Sequence, residues 1–297
     1  MRRIILGLCA LLVWLAPAHA QPSEADREQE VKSAFMAARQ AATSGPADIR
    51  LIDEGVLHLP AQRRWIPKAE AARILRAWGN QPGNNLLGLV MGRTGSSNWV
   101  ATVTFTRDGY VKDNDAKDLD PDKLLAQMRQ SAEASNSDRI ARGFSAITID
   151  EWLQRPRYDN ANKRLVWALP LRDVGADPNS ATINYNTRAL GRDGYFSLNL
   201  LTDREHFEAE KPEADTLLTT LDYVPGKRYQ DFNVSTDRVA EYGLAALIGV
   251  VALKKLGLIA IATAFVLKFA KLGILAVIGL GAAVRRLIGR AKNRASS

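Results

Sequence analysis

Cysteine and histidine are nearly missing from this chain: its 297 residues hold one Cys, at position 9, and three His. Cys9 lies inside an N-terminal apolar run, so the rest of the chain has no disulfide, thiol nucleophile or thiolate metal site. From Gln21 onward the only histidines are His58 and His206, with no HExxH string and no His pair at ligand spacing. A Walker A string is absent too. The nearest match to a nucleophile elbow, Gly143-Phe144-Ser145-Ala146-Ile147, lacks the final glycine. These absences remove zinc hydrolases, thiol enzymes and P-loop nucleotide hydrolysis, and no cofactor is expected.

Acidic residues stop at Glu241, and the apolar C-terminal segment that follows is interrupted by cations. Its stretches are Gly243–Leu253, Leu256–Leu267 and Leu272–Val284, separated by Lys254-Lys255 and by Lys268 with Lys271, and followed by Arg285, Arg286, Arg290, Lys292 and Arg294. None is an unbroken run of the ~20 apolar residues that a spanning helix needs. Leu256–Val284 as a whole, about 43 Å long at 1.5 Å per residue, is expected to span with tilt. A re-entrant or interfacial helical hairpin and two full spans are the alternatives. The expectation is a membrane anchor touching lipids through residues 243–290. It places the protein in the inner membrane, with the main domain periplasmic and the basic tail cytoplasmic by the positive-inside rule.

The N-terminus reads as a secretory signal peptide. Arg2 and Arg3 precede an apolar run from Ile4 to Leu15, and Ala18-His19-Ala20 offers small residues for cleavage before Gln21. A lipoprotein reading through Cys9 fails because Leu8 stands where a small residue is needed. The formal charge of +8 suggests nucleic acid, but it sits at the ends. Arg2, Arg3 and the nine cations after residue 253 leave residues 21–253 with three net negative charges. No basic field remains there to collect phosphates, so no nucleic-acid partner is expected.

The expected organisation is a signal peptide at 1–20, an N-terminal helix at 21–45, an exported α+β domain at 46–234, a connecting helix at 235–253, and an anchor with basic tail at 254–297. Within the domain, Ile49–Ile52 and Val56–Leu59 flank a turn, and Ala69–Trp78 is a helix ending at Gly79-Asn80. Trp99, Ala101, Val103 and Phe105 alternate with threonines as a half-buried strand, and Asp108-Gly109 signals a hairpin. Asp120-Pro121 opens a helix to about Arg142. Arg164–Leu171, Thr182–Leu190 and Tyr195–Leu201 read as strands, and Glu213–Leu221 as a short helix. Hairpins dominate, so the fold class is α+β: an antiparallel sheet with helices on one side, plus a C-terminal helical membrane segment.

Two stretches carry candidate chemistry. The run from Asp108 to Asp122 holds six carboxylates in fifteen residues. It fails the EF-hand pattern, with no glycine at position six and no glutamate at position twelve, so no metal is assigned. The second combines Trp152, Arg157, Tyr158, Asp159 and Trp167 with Arg188 and Arg192. Aromatic faces and guanidinium groups suit an anionic or sugar-like ligand, and packing of the aromatics is the competing explanation. The candidate ligand-binding residues are Asp113, Asp115, Tyr158, Asp159, Trp167 and Arg192, and no catalytic residue is assigned.

Several strings carry a resemblance: Trp78-Gly79-Asn80, Asp108-Gly109-Tyr110-Val111, Asp113-Asn114-Asp115-Ala116, Pro156-Arg157-Tyr158-Asp159 and Leu165-Val166-Trp167-Ala168. To these are added Leu190-Gly191-Arg192-Asp193-Gly194, the stretch from Gly226 to Phe232, and the stretch from Ala240 to Leu247. From about Ile49 to Lys271 the chain resembles the bacterial "predicted membrane-anchored protein" family, domain of unknown function 2167. The resemblance implies export and membrane attachment in Gram-negative bacteria and supplies no activity. The expected function is a membrane-anchored envelope protein whose periplasmic domain is a non-enzymatic binding module, with another envelope protein or a glycan as partner. The alternative is an envelope hydrolase or glycan-active enzyme using paired carboxylates, Asp113 or Asp115 with Asp159, about 5–9.5 Å apart across a cleft.

Overall fold

A computed structural model describes residues 24–92, 99–141 and 143–248. The strands are β1 (Thr43–Ser44), β2 (Ala47–Leu51), β3 (Gly55–Leu59), β4 (Arg63–Pro67), β5 (Leu86–Gly92), β6 (Val100–Thr106), β7 (Tyr110–Lys112), β8 (Ile147–Ile149), β9 (Gln154–Asp159), β10 (Arg164–Asp173), β11 (Thr182–Leu190), β12 (Tyr195–Asp203), β13 (Leu221–Tyr223) and β14 (Val239–Gly243). The α-helices are α1 (Glu24–Ala41), α2 (Lys68–Ala77), α3 (Pro121–Ala141), α4 (Phe207–Thr219) and α5 (Leu244–Ile248).

Nine strands form one antiparallel sheet in the order β1-β4-β5-β6-β12-β11-β10-β8, with β9 also paired to β10. Strands β13, β3 and β2 make a smaller sheet, and β7 pairs with β14. The period of two sorts β10 cleanly. Leu165, Trp167, Leu169 and Leu171 enter one core with α3 residues Leu124, Leu125 and Met128. Val166 and Ala168 enter another with Phe207, Ala214, Leu217 and Leu218 of α4. A third core joins α1 and α2 to Ile66, Leu89, Val100 and Leu201.

Local signals account for the helix ends. The Asp120 carboxylate accepts the backbone N–H groups of Asp122 and Lys123 at 3.1 and 3.0 Å, so the Asp-Pro pair does start α3. Past α2, Gly79 donates to the Arg76 carbonyl and Asn80 to the Leu75 carbonyl, at 2.8 and 2.9 Å. This is a Schellman ending, with Gly79 at φ +79°. The Phe144 ring fills the space where a Gly79 side chain would stand.

The α+β class and the antiparallel sheet hold, with three corrections. Helices do not lie on one side: α4 packs on the sheet face opposite α1–α3, because alternate strand residues are apolar on both faces. Asp108-Gly109 does not close a hairpin, since β7 leaves the sheet and pairs in parallel with β14.

The third correction concerns the membrane. Among the described residues no helix is long and apolar enough to cross one. In its described part, residues 235–248, the expected connecting helix is instead a turn, strand β14 and the five-residue α5, whose Leu244, Leu247 and Ile248 are buried in the α3 core. The apolar stretch starting at Gly243 therefore begins as core of the domain. The expected anchor at 254–297 lies outside the described residues, as does the signal peptide. The membrane segment, the lipid contacts of residues 243–290 and the inner-membrane placement with its periplasmic and cytoplasmic sides have no support in this structure.

Candidate functional site

Several of the strings that carry the family resemblance, though not Trp78-Gly79-Asn80 in the α1–α2 core, meet at one end of the large sheet. Gly191 bridges to Arg228, and the Arg192 N–H donates to the Lys227 carbonyl at 2.9 Å. Tyr229 donates to the Val111 carbonyl at 2.9 Å. The Tyr110 ring stacks on Phe232 at 3.9 Å between centroids and lies 4.4 Å from Tyr229. Tyr242 donates to the Asp108 carboxylate.

Asp113 and Tyr158 belong to this end. Asp113 Oδ2 accepts from the Tyr158 hydroxyl and from Lys163 Nζ, both at 2.8 Å. Lys163, the last loop residue before β10, has φ +54°, and its ammonium lies 5.0 Å from the Tyr229 ring centroid. Burial works against ionisation of Asp113, but the hydrogen bonds from Lys163 and Tyr158 outweigh it and hold the carboxyl below the usual aspartate range. Burial, reinforced by Asp113, pushes the Tyr158 hydroxyl far above the ordinary tyrosine value. At neutral pH the carboxylate stays ionised and the phenol stays protonated. General acid–base work needs a pKa near the working pH, and neither group has one.

Asp115 turns elsewhere. Its carboxylate accepts the N–H groups of Leu244 and Ala245 at 3.1 and 3.3 Å, capping α5. Asp159 closes the β9–β10 turn by accepting from the Ala161 and Asn162 N–H groups at 3.0 and 3.2 Å. With Arg157, Arg164, Tyr185 and Asp215 it also lines a cleft of about 150 Å³ beside α4. Adjacent strand residues point to opposite faces, so Tyr158 with Asp113 and Asp159 with this cleft lie on different sides of the sheet. The carboxylate pairs of the hydrolase alternative do not share a cleft, which overturns that alternative. Arg192 is spent on Asp237, which it grips through Nε and Nη2 at 2.6 and 2.7 Å. Among the described residues no group of three or more His, Cys, Asp or Glu could hold a metal ion.

Trp167 leads to residues that the candidate set left out. It is 2% exposed, and the Arg188 guanidinium lies 4.9 Å from its ring centroid. The register places Trp167, Asn186, Asn199 and Thr102 in one row across β10, β11, β12 and β6. The next rows add Asn184 on one side, and Arg188, Ser197 and Thr104 on the other. A polar stripe thus crosses the sheet face between the α3 core and the α1–α2 core. Thr102, Asn184 and Asn199 in it are buried.

Much of the stripe's hydrogen-bonding capacity is unused. Thr102 Oγ1, Trp167 Nε1, Asn184 Nδ2 and Arg188 Nε are buried atoms without a hydrogen-bond partner. Among the described residues no carboxylate pairs with Arg188; its charge is supported by the Tyr195 and Tyr242 hydroxyls and by two neutral acceptors, the Thr187 carbonyl and Asn199 Oδ1. Desolvation consequently pulls its pKa down. Other partly buried arginines are paired: Arg63 with Glu213, Arg172 with Asp150, Arg192 with Asp237. The sequence signal for the stripe was polar residues at alternate positions of strands whose other positions are apolar. Taken one strand at a time, such residues read as a solvated face.

A second cleft, of about 300 Å³, opens between α1, α2 and Phe144. Its charges are largely internal, since Arg73 pairs with Glu30 and Arg27 donates to the Gly143 carbonyl.

No curated protein matches the chain in sequence. Among solved structures, the solution structure of cyanobacterial PsbP (CyanoP) from Synechocystis sp. PCC 6803 is similar at 11% identity, over 61% of this chain and 91% of that one, with a TM-score of 0.35. Residues 43–281 match the family described as "Protein of unknown function (DUF2167)". That description does not include the membrane anchor implied by the resemblance, and no described helix supplies one. The chain belongs to the DUF2167 family.

Proposed function

We propose that this chain is an exported domain that binds a ligand rather than transforming one, on the sheet face flanked by α1–α3. Export rests on the signal-peptide pattern of Arg2, Arg3, the apolar run and Ala18-His19-Ala20. Binding rests on one observation: four buried polar atoms without partners, on four different residues, share that face. Leaving such an atom unsatisfied costs about 1–3 kcal/mol, and native interiors hold few of them. Convergent polar groups set among apolar and aromatic walls are the usual form of a small-molecule site. Asn186, Arg188 and Tyr195 keep part of their surface in solvent, which gives the stripe an entrance.

Apolar replacement of the unsatisfied groups tests this. Thr102→Val and Asn184→Leu are expected to raise the unfolding midpoint of the ligand-free protein, recovering up to about 1–3 kcal/mol each. Groups held for a ligand are unfavourable without one. A loss of about 1 kcal/mol or more in both variants would mean that the polar groups serve the fold, contradicting the proposal.

A further inference from the structure

We infer that Arg188 is the anion-recognising residue of this face, and that the ligand presents a carboxylate or phosphate group beside Trp167. The inference rests on the binding proposal above and deepens it by naming the ligand class.

The geometry of the guanidinium carries it. Arg188 Nη1 makes both of its hydrogen bonds, to the Thr187 carbonyl at 2.9 Å and to Asn199 Oδ1 at 3.0 Å. Nε has none. The Nε–Nη2 edge is thereby left over, and that edge holds an oxyanion through two parallel hydrogen bonds. Stacking on Trp167, with Tyr195 at 6.0 Å on the same guanidinium, fixes the plane of the fork.

The surrounding unsatisfied groups agree in sign. Trp167 Nε1 is a donor only and Asn184 Nδ2 is a donor, whereas Thr102 stands three strands from Trp167, about 14 Å along the row, and does not reach the same anion. Asn184 and Arg188 flank Asn186, which pairs directly with Trp167, so both stand diagonal to Trp167 at roughly 7–8 Å. A partner that satisfies them accepts several hydrogen bonds and carries negative charge. Neutral sugars, which bring a hydroxyl donor with each acceptor, fit this set less well. The missing carboxylate beside Arg188 is the charge that the ligand would provide.

The test is thermal unfolding of the purified protein with acetate, inorganic phosphate or neutral maltose, against chloride at equal ionic strength. Acetate or phosphate is expected to raise the midpoint saturably, and whichever does so identifies carboxylate or phosphate. Saturation separates binding from the general stabilisation by excluded salts. Arg188→Met should fold, since an apolar side chain replaces an unpaired buried cation, and should lose the response. Arg188→Lys, which keeps the charge without the fork, should weaken it about tenfold or more. An unchanged response in Arg188→Met overturns the inference. A saturable response to maltose with none to either anion also overturns it and leaves the binding proposal standing. No response to any of the three, together with destabilisation in Thr102→Val and Asn184→Leu, overturns both.

Discussion

Asp115 and Leu244 are 129 residues apart in sequence, yet the Asp115 carboxylate accepts the Leu244 N–H at 3.1 Å and the neighbouring Ala245 N–H at 3.3 Å. A loop beside the large sheet thus caps α5, and the Gly243 backbone packs so closely on that carboxylate that a side chain would collide with it. Asp115→Ala is expected to cost about 1 kcal/mol, the usual value of an N-cap. Gly243→Ala should cost at least as much by displacing the same carboxylate. Hydrogen exchange at Leu244 and Ala245 should rise in both variants, and unchanged protection would show that the cap is not made.

Asp113 should give the protein an acid-sensitive component of stability. Its folded pKa is held below the unfolded value by Lys163 and Tyr158. The contribution is complete above the ordinary aspartate pKa and is lost as pH falls through the lower folded value. Asp113→Asn should cost about 1.5–3 kcal/mol at pH 7, the range for hydrogen bonds to a charged group, and less at about pH 3, below the ordinary aspartate pKa. Chemical denaturation at the two pH values measures the difference.

His206 acts in the opposite sense. Hydrogen bonding to Asp203, at 2.7 Å, raises the imidazole pKa, so its contribution is full below the unfolded histidine value and fades as pH rises through the folded one. His206→Gln should flatten the stability profile between about pH 6 and 8, where an ordinary histidine titrates. A wild-type profile that stays flat across this window would contradict the assignment.

Arg192 and Asp237 form a two-bond fork, and Asp237 also accepts the Asn233 N–H at 2.7 Å. Arg192→Lys keeps the charge and loses the geometry. The expected result is a lower unfolding midpoint and faster hydrogen exchange through the 233–237 turn. Equal midpoints would show that charge alone suffices.

Most long strands and helices could be read from local pattern. Alternation of Ala101, Val103 and Phe105 with threonines marked β6, and Asp120-Pro121 marked the start of α3. What escaped depends on partners distant in sequence. Val239–Gly243 reads as helix because apolar residues follow it, but β7, about 130 residues earlier, claims it as a parallel strand. Helix α4 starts at Phe207, earlier than expected, because Pro212 is tolerated within it. In the candidate site, the pairing of a guanidinium with an aromatic face was legible in Trp167 and Arg188. The stripe around them was not, since Thr102, Asn184 and Asn199 become neighbours only once β6, β12 and β11 are in register. The membrane expectation rested on the apolar runs, their flanking cations and the family resemblance, none of which registers that Leu244, Leu247 and Ile248 are claimed by the domain's own core.

The most direct measurement of the central claim is the indole N–H resonance of Trp167, with those of Trp65, Trp78, Trp99 and Trp152 as internal references. During titration with acetate, phosphate or maltose, ligand binding on the polar stripe predicts that the Trp167 signal moves saturably while the other four stay in place. A Trp167 signal that never moves, or five signals drifting together without saturation, would contradict it.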